Sequence, residues 1–188
     1  MWPRWSHPAV DWLVVGLGNP GPRYERTRHS VGFRVAELLA ARWGLGKPRS
    51  RYAGLLSEGR AGPGGPRVAV LQPQTYMNES GRSVGPARGA LKIPLERLLV
   101  IHDEIDLPFG EIRTRLGGGL AGHNGLRSVR DAVGSPDFMR VRVGVGRPPS
   151  TDPDEVAAYV LSRFREPEVE VAAVAERAAD EVEHLLLP

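Results

Sequence analysis

The chain has 188 residues, no cysteine, 41% hydrophobic residues and a formal net charge of +3, with 25 Lys and Arg against 22 Asp and Glu. That length fits one well-buried α/β core rather than two domains, and the lack of thiols removes disulfide frameworks, cysteine nucleophiles and Cys-based zinc sites. The opening "MWPRWSHPAVDW" has no apolar signal-peptide core and no run approaches the ~20 apolar residues of a membrane span, so a cytoplasmic protein is expected, monomeric by default.

In chain order, residues 13–17 form a short apolar run ending in glycines, as a buried strand does. Val31, Val35, Leu38 and Leu39 then recur at helical spacing, with Ser30 placed as N-cap and Gly44 past the end. Residues 52–58 and 67–71 are expected as strands joined across the turn "RAGPGG", and residues 79–90 as a helix. A strand at 98–102 delivers polar residues at its C-terminal end. "EIRTR" alternates like a strand, "GGGLAGHNG" is a glycine-rich loop, 124–133 reads as a helix, and "MRVRVGVG" as another strand. Two helices finish the chain. The first has Asp152 as N-cap, Pro153 at N1 and Glu155 at N3 in a capping-box arrangement, and the second starts near Glu168. The expected organisation is an N-terminal extension over 1–12 and one domain over 13–188.

Gly16, Gly18 and Gly21 have the G-x-G-x-x-G spacing of a dinucleotide-binding turn. A Rossmann unit needs a helix directly after the third glycine and an acidic strand end ~20 residues on. Here "PRYERTRHS" follows instead, and "AARWGLG" occupies the acidic position, so the glycines are expected to shape a tight loop that pins Asn19 at a strand end. Other polar groups also follow apolar runs or glycine turns: His29, Asn78, Asp103 and Asn124. Loops beyond the carboxyl ends of α/β strands commonly build one crevice, where these residues could meet.

"GLGNPGPRYERTRHSVGF", "QPQTYMNESG", "VIHDEIDLPFGEIRTRLGGGLAGHNGL" and "RVRVGVGRP" resemble, in that order, the signature segments of bacterial-type peptidyl-tRNA hydrolase. The resemblance covers residues 13–164, approximately. It implies a single-domain α/β fold with a twisted, mixed sheet flanked by helices. It also implies a cofactor-free, metal-free esterase that cleaves the bond between a peptide and the 3′ ribose of tRNA, releasing both for reuse. Peptidyl-tRNA would then be the partner, with no membrane.

Ester hydrolysis near neutrality needs a base for water, and an imidazole of pKa ~6.5 can serve in its neutral form. His29 matches the family's catalytic histidine, and the resemblance implies that Asp103 fixes its tautomer and stabilises the imidazolium. Without a G-x-S-x-G elbow or a cysteine, direct attack by water fits better than an acyl-enzyme. By resemblance, Asn78 supports the reacting carbonyl or water, and Asn19 and Asn124 grip the peptide beside the ester. Tyr24 and Met77 match positions at the site margin, and His123 positions the tetrahedral intermediate or orders its loop.

Arg113 and Arg115, two apart in a strand pattern, face the same way and with Arg142 are expected to bind tRNA phosphates. Lysines are often found in relatives at the first two of these positions. Ser30 stands where the family usually has Asn, and Ala121 where it usually has Gly. Rival readings are a non-catalytic RNA-binding module and a metallohydrolase using His29, His102, Asp103 and His123. Against the latter, His102 and Asp103 are adjacent in a strand and should point to opposite faces.

Overall fold

In the computed structural model, which describes residues 10–187, the first apolar run forms β1 (Trp12–Gly16), buried along its whole length. It starts one residue before the expected domain boundary, and residues 1–9 of the expected extension lie outside the described residues. The chain continues through α1 (Val31–Arg42), β2 (Arg49–Arg51), β3 (Gly54–Arg60), β4 (Arg67–Pro73) and α2 (Gly81–Ala90). It ends with β5 (Leu98–Glu104), β6 (Ile112–Leu116), α3 (Asn124–Val133), β7 (Met139–Gly144), α4 (Pro153–Val160) and α5 (Glu168–Leu186).

The strands form a seven-stranded mixed sheet in the order β2-β3-β4-β1-β5-β7-β6. β1 lies parallel to β4 and β5, and β5 to β7; β2, β3 and β6 add antiparallel edges. Central parallel strands are covered on both faces, which is why β1 and β5 read as continuous apolar runs rather than as alternating ones. One face packs on α1 and α5 through Val35, Leu39, Val174 and Val182, the other on α2 and α3 through Val84, Ala87, Leu126 and Val129. Fully burying each such Val or Leu side chain contributes about 1.5–3 kcal/mol. α4 buries none of its residues.

The opening glycines serve close packing. A Cβ on Gly16 would lie 2.2 Å from the Gly32 carbonyl oxygen, and one on Gly18 would lie 2.7 Å from the Phe33 ring. α1 therefore crosses directly over the end of β1, and it begins at Val31 rather than immediately after Gly21, unlike a dinucleotide-binding unit.

Some local expectations need correcting. Ser30 is at the N-cap of α1 but makes no capping bond. A 3-10 turn over Arg28–Ser30 precedes the helix, and the Ser30 hydroxyl instead accepts from the Asn19 N–H at 3.1 Å. Asp152 caps α4 through the Asp154 N–H at 2.8 Å, while its own N–H donates to Ser150 Oγ, so the reciprocal Glu155 contact of a capping box is replaced. The expected strand at 52–58 starts at Gly54, because Tyr52 and Ala53 form a left-handed turn at φ 53° and 50° after the short edge strand β2. The expected helix at 79–90 is a 3-10 turn, Met77–Glu79, followed by α2.

Candidate active site

β1, β4 and β5 are parallel neighbours, so their carboxyl ends open together where the chain order switches sides of β1. A cavity of about 820 Å³ lies there. It is lined by every residue expected to catalyse or bind substrate: Asn19, Tyr24, His29, Met77, Asn78, Asp103, His123 and Asn124. The sheet thus brings together groups from loops far apart in sequence.

Asp103, 3% exposed, sits near the end of β5 and is the centre of the polar network. His29 Nδ1 lies 3.0 and 2.9 Å from its two oxygens, and His123 Nε2 lies 2.8 Å from Oδ1. The His123 tautomer follows from its other nitrogen. As N-cap of α3, His123 Nδ1 accepts the Leu126 N–H at 3.2 Å, so Nε2 carries the proton and donates to Asp103. Burial pushes the Asp103 carboxyl up, but the facing charges and N–H groups of His29 and His123 outweigh it and hold the group well below its usual range. Burial pulls His29 down, yet the Asp103 charge and hydrogen bond raise it above 6.5 overall. A histidine bonded to a carboxylate through Nδ1–H keeps its Nε2 lone pair for the cavity.

Asn19 holds two loops in register. Its Oδ1 accepts the buried Met77 N–H at 2.7 Å, which leaves the amide NH₂ available to the cavity. Met77 is 4% exposed, and a Cβ on Gly125 would come within 2.4 Å of its sulfur, so it packs against the start of α3 as well as lining the site. Asn78 and Asn124 are exposed at the cavity margin, the latter on the first residue of α3.

His102 is fully buried on the opposite face from Asp103. Its Nδ1–H donates to the Asp103 carbonyl at 2.8 Å, and its pKa is pushed down to about 3, first by burial and then by His123. Among the described residues, the group that could gather around a metal ion is His29, Asp103 and His123, whose facing atoms lie within 4.8 Å of one another, without His102.

The three arginines expected to bind tRNA lie beside this site rather than in the cavity lining. Register pairs Arg113 with Arg142 and Arg115 with Arg140, which puts all of these side chains on one face of the sheet edge. Arg113 and Arg115 are exposed. Arg142 is 18% exposed and pairs with Glu104 at 3.2 Å. Sequence reasoning missed Arg140, which is 1% exposed and donates to the Gly117 and Gly119 carbonyls at 2.7 and 3.1 Å. It anchors the loop that delivers His123 and Asn124. Its signal was its position one strand repeat before Arg142, where the alternation puts both on the same face. Arg127 and Arg147, also unforeseen, line the cavity rim.

The peptidyl-tRNA hydrolase family model matches residues 13–187. A peptidyl-tRNA hydrolase of Mycobacterium sp. (strain KMS) is 52% identical over 180 residues, covering 95% of this chain and 92% of the relative. One of Syntrophotalea carbinolica is 55% identical over 152 residues, covering 81% and 78%. The crystal structure of the Acinetobacter baumannii peptidyl-tRNA hydrolase superposes with a TM-score of 0.78 at 36% identity, covering 96% of this chain and 95% of that one. With the fold, the order of the motifs and these likenesses in agreement, the chain belongs to the peptidyl-tRNA hydrolase family of enzymes.

Proposed function

We propose that this enzyme hydrolyses the ester between a peptide, or an N-blocked aminoacyl group, and the 3′ ribose of tRNA, with water activated by His29. The observation that carries the reading is the His29 Nδ1 contact to both Asp103 oxygens, at 3.0 and 2.9 Å, in a ring that lines the cavity. Neutral His29 takes a proton from water through Nε2 as the hydroxide adds to the ester carbonyl. The resulting imidazolium is stabilised by Asp103, which stays ionised throughout. Asn78 donates to the developing oxyanion, an interaction of a kind whose removal costs ~100 to 1,000-fold in rate. The imidazolium then returns its proton to the departing ribose oxygen, which restores the base and frees tRNA and peptide.

Asn19 and Asn124 bind the peptide amide next to the ester, and Tyr24 and Met77 pack against the substrate beside them. A free α-amine would present an ammonium in place of that amide, so charged aminoacyl-tRNA is spared. His123 orders the glycine-rich loop before α3 and supports Asp103. Arg113, Arg115 and Arg142 hold the tRNA backbone. The protein acts as a cytoplasmic monomer on peptidyl-tRNA left by stalled or prematurely ended translation.

The cluster of His29, Asp103 and His123 supports a second reading, a metal-assisted hydrolase. Its donor chemistry favours the metal-free reading. A metal would need lone pairs at the nitrogens facing Asp103, but His123 Nε2 carries a proton while Nδ1 accepts from Leu126. Hydrolysis of N-acetylaminoacyl-tRNA by the metal-stripped protein in EDTA separates the two. Full activity is expected, whereas activity lost in EDTA and restored by zinc would establish the metallohydrolase.

A further inference from the structure

Arg28 precedes His29 and is 2% exposed, yet among the described residues it makes no ion pair with a carboxylate. A buried guanidinium without a countercharge is costly unless other groups replace its water. Here they come from the C-terminal end of α4. Arg28 Nη1 donates to the Tyr159 carbonyl at 3.2 Å and to Ser162 Oγ, and the guanidinium stacks 3.9 Å from the centre of the Tyr159 ring. The arrangement suits arginine in particular. Its planar guanidinium stacks on an aromatic face while Nη1 donates to the Tyr159 carbonyl at the negative end of a helix.

The backbone joins the same two segments. Arg28 N–H donates to the Ser162 carbonyl at 3.1 Å, and Thr27 bridges to Arg163. Tyr159 is held in turn by its hydroxyl, which donates to the Val145 carbonyl at 2.7 Å. α4 has no buried residue of its own, so these contacts at its C-terminal end are what hold it against the body. Its apolar residues Val156, Ala157 and Val160, with Leu161 just past its end, form one wall of the cavity whose other residues include His29. Leu161 remains 42% exposed there.

We propose that Arg28 is a positioning residue that sets the distance between the apolar α4 wall and His29, and thereby determines how tightly the enzyme holds apolar side chains of the substrate peptide. The inference rests on the hydrolase reading above. Arg28 does not touch the reacting atoms; it acts through Tyr159 and Ser162. Loosening it weakens binding of a peptide long enough to reach the wall and leaves chemistry at the ester intact, which separates KM from kcat.

The test compares tRNA esterified with N-acetylglycine and tRNA esterified with N-acetyl-trileucine, using wild type, Arg28→Lys and Ser162→Ala. Lysine keeps the charge and loses the stacked fork; Ser162→Ala removes one acceptor of the buried guanidinium at an exposed residue and leaves Arg28 itself and its stacking on Tyr159 in place. Both variants are expected to raise KM for the trileucine substrate by about three- to tenfold, with kcat and the acetylglycine reaction within about twofold of wild type. An unchanged trileucine KM, equal losses on both substrates or a fall in kcat would each overturn the inference. A wild type inert toward both substrates would refute the hydrolase reading and the inference with it.

Discussion

Replacing Asp103 with Asn keeps the shape of the buried group and removes its charge, so it isolates what the carboxylate does for His29. Oδ1 receives both His123 Nε2–H at 2.8 Å and His29 Nδ1 at 3.0 Å, while Oδ2 lies 2.9 Å from the same His29 nitrogen. His123 cannot change tautomer without losing the Leu126 N–H, so in the Asp103→Asn variant the amide oxygen takes the Oδ1 position and the NH₂ faces His29. Two donors then oppose each other unless the His29 proton moves to Nε2. The swapped tautomer presents N–H to the cavity and cannot accept a proton from water. Tautomer errors of this kind cost ~1,000 to 10,000-fold in rate, or about 4–5.5 kcal/mol.

The pH dependence carries an independent sign. In the wild type Asp103 raises His29 above 6.5 despite burial, so kcat/KM should rise with pH through that raised value as the neutral base forms. Without the carboxylate the burial effect is unopposed, and the acid limb should move to lower pH while the plateau falls. Single-turnover hydrolysis of N-acetylaminoacyl-tRNA across about pH 5 to 9 measures both. Activity within about tenfold of wild type, or an acid limb that stays in place, would mean that Asp103 neither fixes the His29 tautomer nor raises its pKa.

Asn19→Ala frees the buried Met77 N–H and should cost about 1–3 kcal/mol of stability as well as activity, whereas exposed Asn78→Ala should lower kcat with little change in melting temperature. Arg113→Ala and Arg115→Ala should each weaken tRNA binding uniformly across tRNAs and reduce the slope of log affinity against log salt by about one. Arg142→Ala should also lower thermal stability, because it leaves buried Glu104 without its 3.2 Å partner. Ala121 has φ 48°, a left-handed conformation, so Ala121→Gly should relieve strain and stabilise by up to about 1 kcal/mol, or roughly 2–4 °C in Tm.

The central strands and principal helices were legible in the sequence because burial on both faces leaves unbroken apolar runs and amphipathic helices leave a clear period. The edge strand β2 was not. Its residues Arg49, Ser50 and Arg51 are all exposed, so pairing with β3 rests on backbone bonds that leave no hydrophobic pattern. Ser30 and Glu155 show the limit of capping rules: both occupy the right position, but neighbouring loop groups, Asn19 in one case and Ser150 in the other, take the hydrogen bonds. The cavity residues were legible one by one as polar groups after strands and glycine turns, and their motif order linked them. Their wiring was hidden. That Asn19 is anchored to Met77, that His123 donates to Asp103, and that Arg140 and Arg28 hold loops through carbonyls all depend on tertiary contacts across many residues.

The most direct test of His29 as the base is hydrolysis of N-acetylated against unblocked aminoacyl-tRNA, by wild type and His29→Ala, with tRNA affinity measured on the same preparations. Wild type is expected to cleave the blocked ester and spare the unblocked one, and His29→Ala to bind tRNA normally but lose hydrolysis. Blocked-ester cleavage by His29→Ala at a rate near wild type would contradict that role for His29, as would a wild type that binds tRNA and cleaves neither substrate.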